Sequence, residues 1–326
     1  MPTPRIIPML RTFSMLEMDL EPESDWARTG TPLGGGERRS LCRGWTKEGS
    51  DLEMIVLETG TEELLARIED GVAVLTLNRP EVRNALSDTL SPALRRIFAS
   101  LREDARVRAV LLTGAGQAFC AGGDVKGMGG KTQRPEPPPT REETILDLTQ
   151  RQQTLTGALY SLPQPTLAAL PGPAVGAGFS IALACDLRIA AESAFVATGF
   201  ARVGLSGDYG ASFFLTHLLG TARTRELFFG GERLDAQKCH EMGLVNRVVP
   251  DGELQEEAMA WARRLAEGPS VAFSFMKANL DRALREDLDT CLAGEAEGIV
   301  ASAMTQDHKE AVRAFVEKRA PRFKGE

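Results

Sequence analysis

The stretch that most constrains this chain is Ala118–Lys126, Ala-Phe-Cys-Ala-Gly-Gly-Asp-Val-Lys. It follows an apolar run, Ala109–Thr113, that reads as a buried strand, and a turn carrying Gly114 and Gly116. Gly122 and Gly123 let the backbone turn sharply and bring its N–H groups against a ligand. Such N–H groups can stabilise negative charge developing on an oxygen. A glycine pair after a strand also serves plain tight turns, so this stretch alone leaves both readings open.

A second glycine-rich stretch narrows the choice. Pro163–Gly178 ends in Pro-Gly-Pro-Ala-Val-Gly-Ala-Gly and runs into Phe179-Ser-Ile-Ala-Leu-Ala-Cys-Asp186, an apolar helix pattern. Together the two stretches resemble the crotonase superfamily, the enoyl-CoA hydratase/isomerase family. The likeness extends from about Glu53 to Glu326. It includes Leu77-Asn-Arg-Pro-Glu-Val-Arg-Asn-Ala-Leu86, Gly243-Leu-Val-Asn-Arg-Val-Val-Pro250 and Ala314-Phe-Val-Glu-Lys-Arg319. The resemblance implies an α/β fold: a crotonase-like spiral of ββα turns over residues 54–255, then a C-terminal helical trimerisation region over 256–326. It also implies a homotrimer or a dimer of trimers.

Composition excludes several other classes. The net charge is −7, which argues against nucleic acid as the main partner. No apolar run reaches the length of a membrane span. The five cysteines are far apart and lack C-x-x-C spacing. They suit a reducing compartment, with the cytoplasm expected, and no zinc site. No H-E-x-x-H, Walker loop or G-x-S-x-G elbow is present.

Taken in order, residues 1–53 mix Pro, Gly, Arg and acids without periodicity and read as a disordered extension. An over-long reading of the gene before Met54, or a regulatory tail, are the alternatives. Leu65–Asn78 predicts two strands joined at Asp70-Gly71. Leu86, Leu90, Leu94, Ile97 and Leu101 carry helical spacing, with Ser87 or Ser91 as the cap. A strand at Val107–Thr113 completes a βαβ unit. Gly127–Arg141 predicts an irregular flap. Further expectations are helices at Thr144–Leu162, Ala177–Ala184, Ala211–Leu219, Asp235–Met242 and Leu254–Ala266. Strands are expected at Thr166–Leu170, Leu187–Ala190 and Ala194–Ala197, and a largely helical segment at Val271–Val316.

The resemblance assigns the site residue by residue. It implies that an acyl-CoA thioester binds with its carbonyl oxygen between two backbone N–H groups, those of Gly123 and Ala177. The second position is usually glycine; alanine keeps the N–H provided its backbone angles are compatible. Ala121, Gly122, Asp124 and Val125 flank the first donor, and Asp124 also reads as a helix cap. Arg83 sits where the family often has a basic residue near the CoA phosphates, and Ala85 follows in a segment that lines the nucleotide. Lys277 and Lys318 are weaker candidates. No cofactor or metal is implied beyond the CoA of the substrate.

Two departures matter. Hydratases of the family activate water with two glutamates; here those places hold Ser180 and Phe200. Neither supplies a carboxylate. Ser180 reads either as a substrate hydrogen-bonding group or as a small packing residue. A different carboxylate, Asp208, stands nearby in Ser206-Gly-Asp-Tyr-Gly210. It reads either as the acid/base of a double-bond isomerase, with its pKa raised by Phe200, Leu205, Phe213 and Phe214, or as the N-cap of the following helix. The leading expectation is therefore an isomerase using Asp208. The alternatives are a hydratase with a non-standard acid/base set, an acyl-CoA hydrolase, or a catalytically weak acyl-CoA-binding paralogue.

Overall fold

The computed structural model describes residues 54–124 and 138–326. The expected extension over 1–53 and most of the expected flap lie outside them, as does Val125. Among the described residues ten strands form two sheets. In the seven-stranded sheet the order is β1 (Ile55–Val56), β2 (Leu64–Glu69), β3 (Val72–Leu77), β4 (Ala109–Gly114), β5 (Thr166–Leu170), β7 (Leu187–Ala191) and β10 (Arg247–Val249). The three-stranded sheet is β6 (Ala174–Val175), β8 (Phe195–Ala197) and β9 (Leu234–Asp235).

The β2–β3 hairpin turns at Asp70-Gly71, both with positive φ, as the Asp-Gly signal requires. From β3 onward the large sheet is parallel. All six residues of β4 and all five of β5 are buried, which is why these strands read as unbroken apolar runs. The chain repeats one unit: a strand in the large sheet, a short strand in the small sheet, then a helix. Strands β5 and β6 lead to helix α3 (Ala177–Ala184), and β7 and β8 lead to helix α4 (Ala211–Gly230). This is the ββα repeat of a crotonase-like core.

Helix α1 (Leu90–Leu101) joins β3 to β4 and buries Leu90, Ala93, Leu94, Ile97, Phe98 and Leu101. The leucine spacing overran its start, because Leu86 lies outside the helix and bridges to Gly123. Neither expected serine is the N-cap of α1, which is Thr89; Ser87, two residues before it, still accepts from the N–H groups of Thr89 (3.1 Å) and Leu90 (2.8 Å). Helix α2 (Arg141–Gln152) starts earlier than expected, at a capping box between Thr140 and Glu143. It continues into a π-helical turn, Gln153–Gly157, and a short closing turn, Ala158–Tyr160.

Helix α4 breaks at Gly220 (φ 72°, ψ 173°), next to the end expected at Leu219, and then runs on to Gly230. Helix α5 (Ala236–Glu241) is capped by Asp235. Helix α6 (Leu254–Ala266) buries Leu254, Ala258, Ala262 and Ala266 and packs on β4 and β5. Three C-terminal helices follow: α7 (Ser270–Ala283), α8 (Leu288–Ala303) and α9 (Gln306–Val316). They leave large apolar side chains uncovered, among them Leu280 (70% exposed), Leu288 (71%) and Phe315 (82%). Among the described residues no helix is long and apolar enough to cross a membrane.

Candidate active site

Both glycine stretches lie side by side, held by main-chain hydrogen bonds. The N–H groups of Phe119 and Cys120 donate to the Pro173 carbonyl (3.0 and 3.1 Å), and the Val175 N–H donates to the Cys120 carbonyl (2.9 Å). The contact is tight enough to require glycine. A Cβ on Gly178 would lie 2.3 Å from the Cys120 oxygen. At Gly122, φ is +90° and a Cβ would lie 2.7 Å from the Val175 oxygen and 3.5 Å from the Ala177 nitrogen. The first turn therefore abuts the N-terminus of α3.

On its other side the first turn pairs with residues 83–86. The Ala121 N–H donates to the Arg83 carbonyl (2.9 Å), Leu86 N–H to the Gly122 carbonyl (2.8 Å), and Asp124 N–H to the Leu86 carbonyl (3.3 Å). This register leaves the Gly123 N–H unused. Among the described residues neither it nor the Ala177 N–H donates a hydrogen bond. Ala177 is the first residue of α3 and is not among the residues with positive φ, so alanine suits a place usually held by glycine. The eight-residue helix behind it is wholly buried, and its dipole favours negative charge at Ala177.

Asn84 brackets this arrangement, and the sequence reading missed it. Its side chain is fully buried; its amide donates to the carbonyls of Ala115 (3.0 Å) and Ala118 (2.8 Å), and its oxygen accepts from the Arg79 N–H (2.8 Å). Its φ of 56°, a region asparagine tolerates better than most residues, was the only local signal. The Arg79 guanidinium donates to the Ala85 carbonyl (2.6 Å) and lies 3.8 Å from the Asp124 carboxylate. Arg83 is exposed and lines a 580 Å³ cleft with Pro80, Gln117, Ala118, Pro173, Phe195 and Arg233. Ala85 is buried beside it. Lys277 is placed elsewhere: it pairs with Asp186 (2.8 Å), just past the C-terminal end of α3.

Asp208 comes to the first turn of α3. The Ser180 hydroxyl, on that turn, lies 3.1 Å from both the Gly176 and Asp208 carbonyl oxygens. Ser180 is fully buried, so its hydroxyl serves the main chain. Phe200 is buried, stacks near Phe228 at 5.9 Å between centroids, and approaches both Gly176 and Gly207. Phe214 covers Gly210. Leu205, expected in this apolar enclosure, is instead 55% exposed.

The N-cap alternative for Asp208 fails. The cap position of α4 is Gly210, no side chain bonds there, and Asp208 contributes only its carbonyl, to the Ala211 N–H (3.2 Å). Its Oδ1 is buried without a hydrogen-bond partner among the described residues. Burial alone pushes the Asp208 carboxyl up to about 6. A carboxyl with that property can exchange protons near neutral pH, and its main chain is held at the first turn of α3, the turn that starts at the unused Ala177 N–H.

This two-sheet ββα core, with paired glycine turns against a buried helix, defines a crotonase-fold protein. Known proteins agree. A family model described as enoyl-CoA hydratase/isomerase matches residues 67–326. A Rhodobacter capsulatus protein named probable enoyl-CoA hydratase is 39% identical over 79% of this chain and 96% of its own. The 1,2-epoxyphenylacetyl-CoA isomerase of Escherichia coli is 35% identical over 81% of this chain and 99% of its own. The crystal structure of an enoyl-CoA hydratase from Bacillus anthracis superposes with a TM-score of 0.72 at 34% identity, covering 84% of this chain and 99% of that one. The chain belongs to the enoyl-CoA hydratase/isomerase family.

Proposed function

We propose that this family member is an isomerase that moves a carbon–carbon double bond in an acyl-CoA, with Asp208 as its one proton carrier. The thioester oxygen sits between the N–H groups of Gly123 and Ala177. The Asp208 carboxylate removes a proton from a carbon near the thioester. The C–H electron pair flows to the carbonyl oxygen, giving an enolate that the two N–H groups hold. The protonated Asp208 then returns the proton to another carbon as the double bond re-forms, so atoms and charge balance without a further reactant. Removing one such donor costs on the order of 10²–10³ in rate. Arg83, beside the cleft, pairs with a CoA phosphate, and Ala85 and Ala121 line the approach.

One observation carries this reading: Asp208, whose main chain is held at the first turn of α3, is half-buried, its Oδ1 has no hydrogen-bond partner among the described residues, and its carboxyl is raised to about 6. The places where hydratases of the family hold glutamates carry Ser180, bonded to main chain, and Phe200, packed on Phe228. That absence also favours a second reading, an acyl-CoA-binding protein with little catalysis. The exposed apolar side chains of the C-terminal helices support a trimer, whose mass light scattering would report.

The test offers a 3-enoyl-CoA and a 2-enoyl-CoA in deuterated water, read by mass and ultraviolet absorbance. Double-bond migration with deuterium uptake, lost in Asp208→Asn, is expected. Robust water addition to the 2-enoyl-CoA would sink the isomerase as principal activity. Tight acyl-CoA binding with negligible turnover, unchanged in Asp208→Asn, would favour the binding protein.

A further inference from the structure

We infer that Gln152 and Ser180 are positioning residues that clamp the Asp208–Tyr209 peptide from two sides and so aim the Asp208 carboxylate. The inference rests on the reading of Asp208 as proton carrier. The segment around Asp208 has little to hold it locally. Gly207 (φ 106°) and Gly210 (φ 84°) flank it, and Tyr209 takes a left-handed φ of 51°, sparsely populated by aromatic residues. The carboxylate does not anchor the segment either, since its Oδ1 bonds to nothing among the described residues.

Both polar ends of one peptide unit are held instead. The Asp208 carbonyl lies 3.1 Å from the Ser180 hydroxyl on α3 and also accepts from the Ala211 N–H. The Tyr209 N–H donates to Gln152 Oε1 at 2.9 Å. Because the peptide is planar, holding its oxygen and its N–H fixes its plane, and with it the direction of the Asp208 Cα–C bond that the peptide continues. That bond is the axis about which the Asp208 Cβ turns, so a held peptide narrows where the carboxylate reaches. Gln152 is the last residue of α2, directly before the π-helical turn Gln153–Gly157. Such turns interrupt the helical register and are frequent at functional sites. Ser180 occupies a place where hydratases of the family carry a glutamate. On this geometry that place no longer donates a proton; it holds the group that does.

The experiment compares Gln152→Met, Ser180→Ala and Ser180→Thr with the full-length wild type, on whichever of the two enoyl-CoAs the wild type turns over. Gln152→Met and Ser180→Ala are each expected to lower kcat about 10- to 100-fold with KM little changed, the scale of a misplaced catalytic group. Ser180→Thr, which keeps the hydroxyl, restores most of kcat. Amide hydrogen exchange over residues 206–210 becomes faster in Gln152→Met. Wild-type kcat in both Gln152→Met and Ser180→Ala, or a loss that tracks the melting temperature and is not rescued by threonine, overturns the inference. If Asp208→Asn proves fully active, the proton-carrier reading falls by itself. The exchange measurement then decides the clamp alone: unchanged protection at Tyr209 in Gln152→Met refutes it.

Discussion

Asp208 destabilises the fold in its charged form, so replacing it predicts a protein that is more stable but inactive. An acid whose folded value lies above its unfolded value is stability-neutral at low pH, where both states hold the proton. As pH rises past the ordinary 3.8, the unfolded chain ionises while the folded one does not, and stability falls until the pH passes about 6. The full loss corresponds to about 3 kcal/mol at pH 8 and about 1.6 kcal/mol at pH 5. Asp208 is only partly buried, so solvent screening reduces these to roughly 2 and 1 kcal/mol. Asparagine removes the charge but leaves a polar amide in the same place, at a cost that does not depend on pH. The difference between the two pH values isolates the charge. The Tm of Asp208→Asn minus that of wild type should be higher at pH 8 than at pH 5 by about 2–4 °C, for about 1 kcal/mol in a domain of this size. Scanning calorimetry of both proteins at both pH values measures it. An equal or smaller difference at pH 8 would refute the reasoning, because a favourably bonded carboxylate gives the opposite sign.

The same carboxyl predicts that kcat/KM rises with pH through a midpoint near 6, with the limb abolished in Asp208→Asn; a profile flat from pH 5 to 8 would count against Asp208 as base. Gly122→Ala forces a Cβ to 2.7 Å from the Val175 oxygen at φ +90°, so the turn must shift; turnover should fall by about 10² or more while the far-ultraviolet spectrum is kept. Asn84→Ala leaves the Ala115 and Ala118 carbonyls without their buried donor and should cost about 2–4 kcal/mol by denaturant unfolding. Lys277→Met removes the cation from Asp186, beyond the far end of α3; it should lower Tm by a few degrees, about 1 kcal/mol, with kcat/KM unchanged.

Residues whose role is set by their neighbours in sequence were legible. The Asp70-Gly71 hairpin, the buried runs of β4 and β5, α3 and α6 follow from local pattern and appear where it placed them. The two glycine stretches were legible as a pair through their resemblance to the crotonase superfamily. What failed to show was set by distant partners. Leu86 continues the leucine spacing of α1 yet serves as the bridge partner of Gly123, which no periodicity distinguishes. Strands β6 and β9 have two residues each, too few to carry an alternation. Gln152 ends a polar, exposed helix; only the fold brings its amide to Tyr209. Position alone left Asp208 divided between cap and base. The structure removes the cap by placing Gly210 there, with the carboxylate bonding none of the α4 N–H groups.

That outcome bears on the rival reading of an acyl-CoA-binding protein without catalysis. On the proposed reading, binding the thioester needs the N–H pair and a cation for the CoA, none of which depends on Asp208. The raised carboxyl of Asp208 is expected to cost the fold roughly 2 kcal/mol at neutral pH. A capping aspartate would recover about 1 kcal/mol through its bond to a helix N–H, but Asp208 makes no such bond. Two side effects therefore run against a purely binding role: the expected loss of stability and an unsatisfied buried oxygen. A proton carrier accounts for both. Its oxygen must stay unbonded to accept a proton from carbon, and its burial is what brings its pKa near the pH at which it must both take and return that proton.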